Sequence, residues 1–259
     1  MATKERRIGR PHVFFDLGET IVNLRDTISV IASGIAVAHP SIAERAKDCA
    51  KSWFLGLASE VPRDSKAKFE TQYEVGSRIL ARVLRNTGVD TNEAEAGRVL
   101  RAAWNQWQDR ARLCEGVTKE WLSEVCKLSA GVGAVTDGDE GDVRRLLEKM
   151  GISTYFDSVT TSEAVRAYKP NPVVYRAALA SLGADPLSSL FVSDSLLDLT
   201  GAIAVGMTAM WFHREAPDET SRAPPGTLQV THPDGLPPIL ARYLEFGRFD
   251  VIPNPADPA

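Results

Sequence analysis

Residues 24–108 carry helical periodicity and almost no strand signal, whereas the chain on either side holds short apolar runs that end in polar residues. That contrast leaves few architectures open. Ile28, Ile31 and Ile35, then Ala46, Cys49, Trp53 and Phe54, then Tyr73, Ile79, Leu80, Val83 and Leu84 recur at helical spacing. Pro40-Ser41, Pro62-Arg63-Asp64-Ser65 and Asn86-Thr87-Gly88 interrupt them, so the segment reads as about four helices. Trp104 and Trp107 lie three apart on one helix face, where large aromatics usually fill a core.

From residue 110 onward strands and helices alternate, the pattern of a parallel sheet with crossover helices. Residues 131–135, 156–161, 190–192, 207–212 and 228–230 read as strands, the last at an edge. Helices are expected through Trp121, Val125 and Leu128, through Val143, Leu146, Leu147 and Met150, and over 173–182, 237–246 and the Gly201-Ala202 segment. The Pro- and Asp-rich tail beyond them reads as disordered. One more strand, Val13, Phe14 and Phe15, precedes the helical segment and is too short to be a helix. The core is therefore interrupted, and the insert enters just after Asp16, where it can roof a cleft.

With 259 residues the chain can bury a full core. Its net charge of -4 gives no basic field, which argues against nucleic acid or an anionic membrane as partner. Cys49, Cys114 and Cys126 form no CxxC, so neither a thiolate zinc site nor a disulfide framework is suggested, and a reducing cytoplasm fits. Residues 1–10 are basic without the apolar stretch of a signal peptide, and no run of about 18 apolar residues is present to span a membrane. His12, His39, His213 and His232 lack metal-ligand spacing and read as structural. The expectation is a cytoplasmic monomer or homodimer acting on a small molecule.

In an open parallel sheet, ligands gather at the carboxyl ends of the strands. Asp16 follows the first strand, Thr136-Asp137-Gly138 the second, and Asp194 and Asp198 a later one, while Lys169 sits in a loop with Pro170 and Pro172. Asp16 is a plausible nucleophile or metal ligand, although an Asp there can also cap the next helix. Thr136 and the N–H groups beside it suit anionic oxygens. Lys169 suits crowded negative charge, and converging carboxylates call for a cation such as Mg²⁺. Taken singly, Lys169 could be a surface lysine and Asp198 an N-cap.

The ordered set resembles the haloacid dehalogenase superfamily, a group of hydrolases dominated by phosphatases, from Val13 to Ile203. The motif Asp-x-Asp-x-Thr lands on Asp16, Gly18 and Thr20, the strand-end hydroxyl on Thr136, the lysine on Lys169-Pro170, and the last pair of acids on Asp194 and Asp198. The resemblance implies an α/β fold, a Rossmann-like parallel sheet core (1–23 and 110–259) with an inserted all-helical cap domain (24–109). It implies a Mg²⁺-dependent phosphatase for a small phosphorylated substrate. Asp16 would be nucleophile and metal ligand, the Gly18 carbonyl and Asp194 further ligands, with Thr20 and Asp198 behind them. Thr136, Asp137, Gly138 and Lys169 would hold the phosphoryl group.

One departure matters. The second acid of the first motif, which in family phosphatases protonates the leaving oxygen, is Gly18 here, and Glu19 beside it is a possible substitute. Loss of a proton donor typically slows expulsion of an alkoxide by about 10²- to 10⁴-fold. The dehalogenase branch also lacks that acid, and Phe191-Val192-Ser193, the segment from Asp198 to Ala202, and Tyr175 six residues after Lys169 look like that branch. Asp194 and the small Gly18 do not. A carbon-centred hydrolase and a catalytically weak member with a binding or regulatory role thus stand as alternatives. Arg25, Trp53 and Trp107 are candidates for cap residues that set specificity.

Overall fold

A computed structural model describes residues 9–64, 67–214 and 222–249; the expected disordered tail from residue 250 on lies outside them. The chain opens with β1 (His12–Phe15) and the two-residue β2 (Val22–Asn23), then runs through α1 (Thr27–Ala38), α2 (Ala46–Glu60), α3 (Gln72–Asn86) and α4 (Glu93–Gln108). It returns in β3 (Arg112–Leu113), α5 (Lys119–Leu128), β4 (Gly131–Thr136), α6 (Glu140–Lys149), β5 (Ser158–Thr161) and the short α7 (Ser162–Val165). The remainder is α8 (Pro172–Leu182), β6 (Ser189–Ser193), α9 (Leu196–Ala204), β7 (Thr208–Phe212), β8 (Leu228–Val230) and α10 (Leu236–Phe246).

Six strands form one parallel sheet in the order β5-β4-β1-β6-β7-β8, with β1 central and β8 at the edge as expected. Successive residues of β1 face opposite sides. Val13 and Phe15 pack with α5, α6, α10 and the helical insertion, and Phe14 packs with Val174, Tyr175 and Leu199 of α8 and α9. Each fully buried Phe contributes about 1.5–3 kcal/mol relative to an exposed one.

The four inserted helices stop and start on local signals. Thr71 with Glu74, and Asn92 with Glu95, form capping boxes that open α3 and α4 and satisfy end N–H groups. Gly97 lets these two helices approach, since a β-carbon there would stand 2.6 Å from the Tyr73 hydroxyl. Trp53 and Trp107 are buried inside this bundle, Trp53 donating to the Gly76 carbonyl at 3.0 Å and Trp107 stacked on Trp104.

Two features had no sequence signal. β2 and β3 pair antiparallel and join the entry and exit of the insertion, and α7 is a single turn capped by Thr161. The strand expected over 156–161 begins at Ser158, because Ser153–Tyr155 form a 3₁₀ turn. Cys49, Cys114 and Cys126 form no disulfide, and no described helix is long and apolar enough to cross a membrane.

Candidate active site

The central strand delivers Asp16 to the carboxyl edge of the sheet. Its N–H still donates to the Val192 carbonyl at 3.0 Å, so the residue is held on the ladder with β6 while its side chain is buried beyond it. Lys169 Nζ lies 2.5 Å from both Asp16 Oδ1 and Asp198 Oδ2. Asp198 is fixed in turn by the Ser193 hydroxyl at 3.2 Å, and its carbonyl accepts the Tyr175 hydroxyl at 2.8 Å. On the other side of Asp16, Thr20 Oγ1 is 3.4 Å from Asp16 Oδ2 and 3.3 Å from Asp194 Oδ1, and accepts the Asp194 N–H at 3.1 Å. Trp211 Nε1 holds the Asp194 carbonyl at 3.0 Å.

This crowding sets the electrostatics. Burial pushes Asp16 up to about 7; Lys169 opposes that, while Asp198 and Asp194 add to it. Burial likewise takes Asp194 up to about 6, helped by the Asp198 charge. Burial disfavours the Lys169 ammonium, but Asp16, Asp198 and Asp137 outweigh it and hold its pKa well above the usual lysine range.

Asp16 and Asp194 offer oxygen ligands of the kind a hard cation such as Mg²⁺ takes, with the Gly18 carbonyl nearby in sequence. Among the described residues no group of three His, Cys, Asp or Glu side chains is placed to hold a metal. A site here would therefore combine two carboxylates, a main-chain carbonyl and water. The mutual repulsion of buried Asp16 and half-buried Asp194 fits such a cation.

Thr136 ends β4 and is half-buried. The Asp137 carboxylate turns away from any anion: Oδ1 accepts the Lys169 N–H at 2.9 Å and Oδ2 the Arg63 guanidinium at 3.0 Å. Burial raises its pKa. Any anion contact at residue 137 is thus left to the main chain, as at Gly138, whose carbonyl accepts the Ser162 hydroxyl at 3.3 Å.

The insertion meets this loop through residues that sequence reasoning missed. Arg63 also donates to the Lys169 carbonyl at 2.5 Å, and Phe69 stacks on Tyr168 with ring centres 5.3 Å apart. Asp139 of the core accepts the Gln72 and Tyr73 N–H groups at 2.8 and 2.9 Å, capping α3 from outside. Arg101 grips Asp142 with contacts of 2.5 and 2.6 Å. Beside these latches, a cavity of about 80 Å³ lies between Ile31, Trp53, Leu57 and Trp104 and the Gly138-Asp139 segment. Arg25, by contrast, is exposed.

Gly18 sits under Leu24, whose Cδ1 is 2.9 Å from where a β-carbon at position 18 would stand. Glu19 adopts a left-handed φ of 51°, and its Oε1 accepts the Leu24 N–H at 2.7 Å. Arg214, beyond β7, donates to the Glu19 carbonyl and, at 3.0 Å, to the Thr20 carbonyl. These bonds hold an otherwise unfavourable backbone turn directly after Asp16.

A six-stranded parallel sheet with four helices inserted after its first strand, and with acids, a lysine and a hydroxyl at the strand ends, defines a class of capped α/β proteins. Residues 11–206 match the haloacid dehalogenase-like hydrolases, and the chain belongs to that family. It is 30% identical over 98 residues to haloacetate dehalogenase H-2 of Moraxella sp. (strain B), covering 37% of this chain and 44% of that protein. It is 29% identical over 134 residues to phosphoglycolate phosphatase of Pseudomonas syringae pv. syringae (strain B728a), covering 51% of this chain and 49% of that protein. The chain thus spans about half the length of these curated relatives. L-2-haloacid dehalogenase from Xanthobacter autotrophicus superposes with a TM-score of 0.71 at 20% identity, covering 90% of this chain and 98% of that one. The HAD-hydrolase YfnB from Bacillus subtilis, bound to magnesium, gives 0.70 at 18%, covering 90% and 99%. At such identities the superpositions speak for the fold alone.

Proposed function

We propose that the chain is a Mg²⁺-dependent phosphatase of a small phosphorylated metabolite, with Asp16 as the nucleophile that attacks phosphorus. The observation that carries this reading is the pair Asp16 and Asp194 facing one hydroxyl in a buried site. Four carboxylates, Asp16, Asp137, Asp194 and Asp198, meet two cations, Lys169 and Arg63. An anionic substrate entering that excess needs a further cation. Mg²⁺ held by Asp16, Asp194 and the Gly18 carbonyl would offset negative charge on the phosphoryl oxygens. Lys169 donates to a second phosphoryl oxygen, the Thr136 hydroxyl and the N–H groups of Asp137 and Gly138 take the others, and Asp198 keeps Lys169 aimed at Asp16. Thr20 orients both metal-binding acids. The similarity to phosphoglycolate phosphatase supports this reading.

The test is phosphate release from a substrate panel with and without Mg²⁺. Release that needs Mg²⁺ is expected, and none from any substrate would overturn the reading.

A second reading is favoured by one observation: the Lys169 ammonium, anchored on Asp198, lies 2.5 Å from Asp16 and favours its ionised form without a metal. Asp16 would then attack carbon and displace halide, as the names of the dehalogenase relatives suggest. Halide release from a 2-haloacid in metal-free buffer tests it, and none is expected.

A further inference from the structure

We infer that the site takes phosphoryl groups carried on acidic leaving groups, such as acyl or aryl phosphates, rather than alkyl phosphates; this rests on the phosphatase reading above. An alkoxide is too basic to leave unaided and needs a proton as its bond to phosphorus breaks. The groups around Asp16 do not offer one. Position 18 has no side chain, and the Leu24 methyl, 2.9 Å from where its β-carbon would be, fills the place with hydrocarbon. Glu19 is the nearest acid in sequence, and its carboxylate is turned onto the Leu24 N–H at 2.7 Å.

The other acids are bound as acceptors. Asp194 takes the Thr20 hydroxyl and is assigned to the cation, Asp198 takes Lys169 and Ser193, Asp137 takes the Lys169 N–H and Arg63, and Asp139 takes two N–H groups of α3. The Tyr175 hydroxyl donates to the Asp198 carbonyl and the Tyr168 hydroxyl to the Glu70 carbonyl, at 2.8 and 2.9 Å. Lys169 already serves two carboxylates.

Without a donor, the first step is a displacement with no proton transfer. An Asp16 oxygen forms a bond to phosphorus, the bond from phosphorus to the leaving oxygen breaks, and its electron pair departs on a carboxylate or phenolate. Water then attacks phosphorus, the bond to Asp16 breaks and returns its pair to the carboxylate, and the water's proton passes to the phosphate or solvent.

The experiment measures kcat/KM in Mg²⁺ for acetyl phosphate, a series of aryl phosphates of graded phenol pKa, and several alkyl phosphates. Acyl and activated aryl phosphates are expected to exceed alkyl phosphates by more than about 10²-fold, with a steep fall along the aryl series. Alkyl turnover within about tenfold of the activated esters, or a flat series, would overturn the inference and leave the phosphatase reading intact; a panel with no turnover at all would overturn both. In the double variant G18D/L24A, which supplies an acid and the room for it, the alkyl-to-aryl ratio should rise by about tenfold or more. An unchanged ratio would count against the assignment of the missing donor to this position.

Discussion

Asp16 and Asp194 meet at one hydroxyl: Thr20 Oγ1 lies 3.4 Å from the first carboxylate and 3.3 Å from the second. A hydroxyl carries one proton and can donate to only one of them at a time. The main chain at both residues is held in place, Asp16 through its N–H on Val192 and Asp194 through Trp211 on its carbonyl. Two like charges held in a buried site are relieved by a divalent cation.

Mg²⁺ should therefore raise thermal stability. At a concentration one hundred times its dissociation constant, a ligand specific for the folded state adds about 2.7 kcal/mol, a shift of several degrees for a chain of this size. Asp194→Ala should abolish that rise, and Asp194→Asn should melt higher than wild type in metal-free buffer because the repulsion is gone. Thermal melts with and without Mg²⁺ check both.

Lys169 is only 3% exposed between Asp16 and Asp198. Lys169→Met leaves two buried acids without their cation, and removing one partner of such a pair typically costs about 3–5 kcal/mol. Urea unfolding should register that loss. By contrast, Lys51→Met, which breaks a solvent-exposed pair with Asp48 at 3.8 Å, should change stability by less than about 1 kcal/mol.

Arg63 joins the insertion to the loop that carries Lys169. Its side chain is one-third exposed, so Arg63→Ala should cost no more than about 1 kcal/mol in stability. Activity should suffer more, by about tenfold in kcat/KM, because Asp137 loses one of its two braces and the Lys169 backbone loosens. Parallel melts and steady-state kinetics separate the two effects.

The pH response of β1 is also readable. Burial lowers the pKa of His12 from 6.5, with Asp157 opposing. The unfolded chain then binds this proton more readily than the folded one, so the contribution is fully present above about pH 6.5 and is lost as pH falls below it. Wild type should lose stability relative to His12→Gln between about pH 7.5 and 5.5, as followed by denaturant midpoints.

Much of this was legible in the sequence because it repeats at short range. The apolar runs at 13–15, 131–135 and 190–192 announce buried strands, and the polar residues that follow mark the cleft edge, which is how Asp16, Thr136 and the Ser193-Asp194 pair come into view. Lys169 and Asp198 followed from their place in the ordered set, and they do converge on Asp16. Arg63 and Asp137 meet across 74 positions, and Arg214 and Thr20 across 194, distances over which no local pattern carries information. β2 and β3 are two residues each, too short for periodicity to register. Leu24 was invisible for another reason: its importance lies in the space it takes over Gly18, a property of packing and not of residue type.

Nucleophilic attack by Asp16 is tested by phosphate release from an activated aryl phosphate by wild type and Asp16→Asn, each with Mg²⁺ and with chelator. Turnover by wild type in Mg²⁺ alone is expected, with a loss of about 10³-fold or more in Asp16→Asn, the scale seen when a nucleophile is removed. Equal release by Asp16→Asn, or release by wild type that ignores the chelator, would contradict this mechanism.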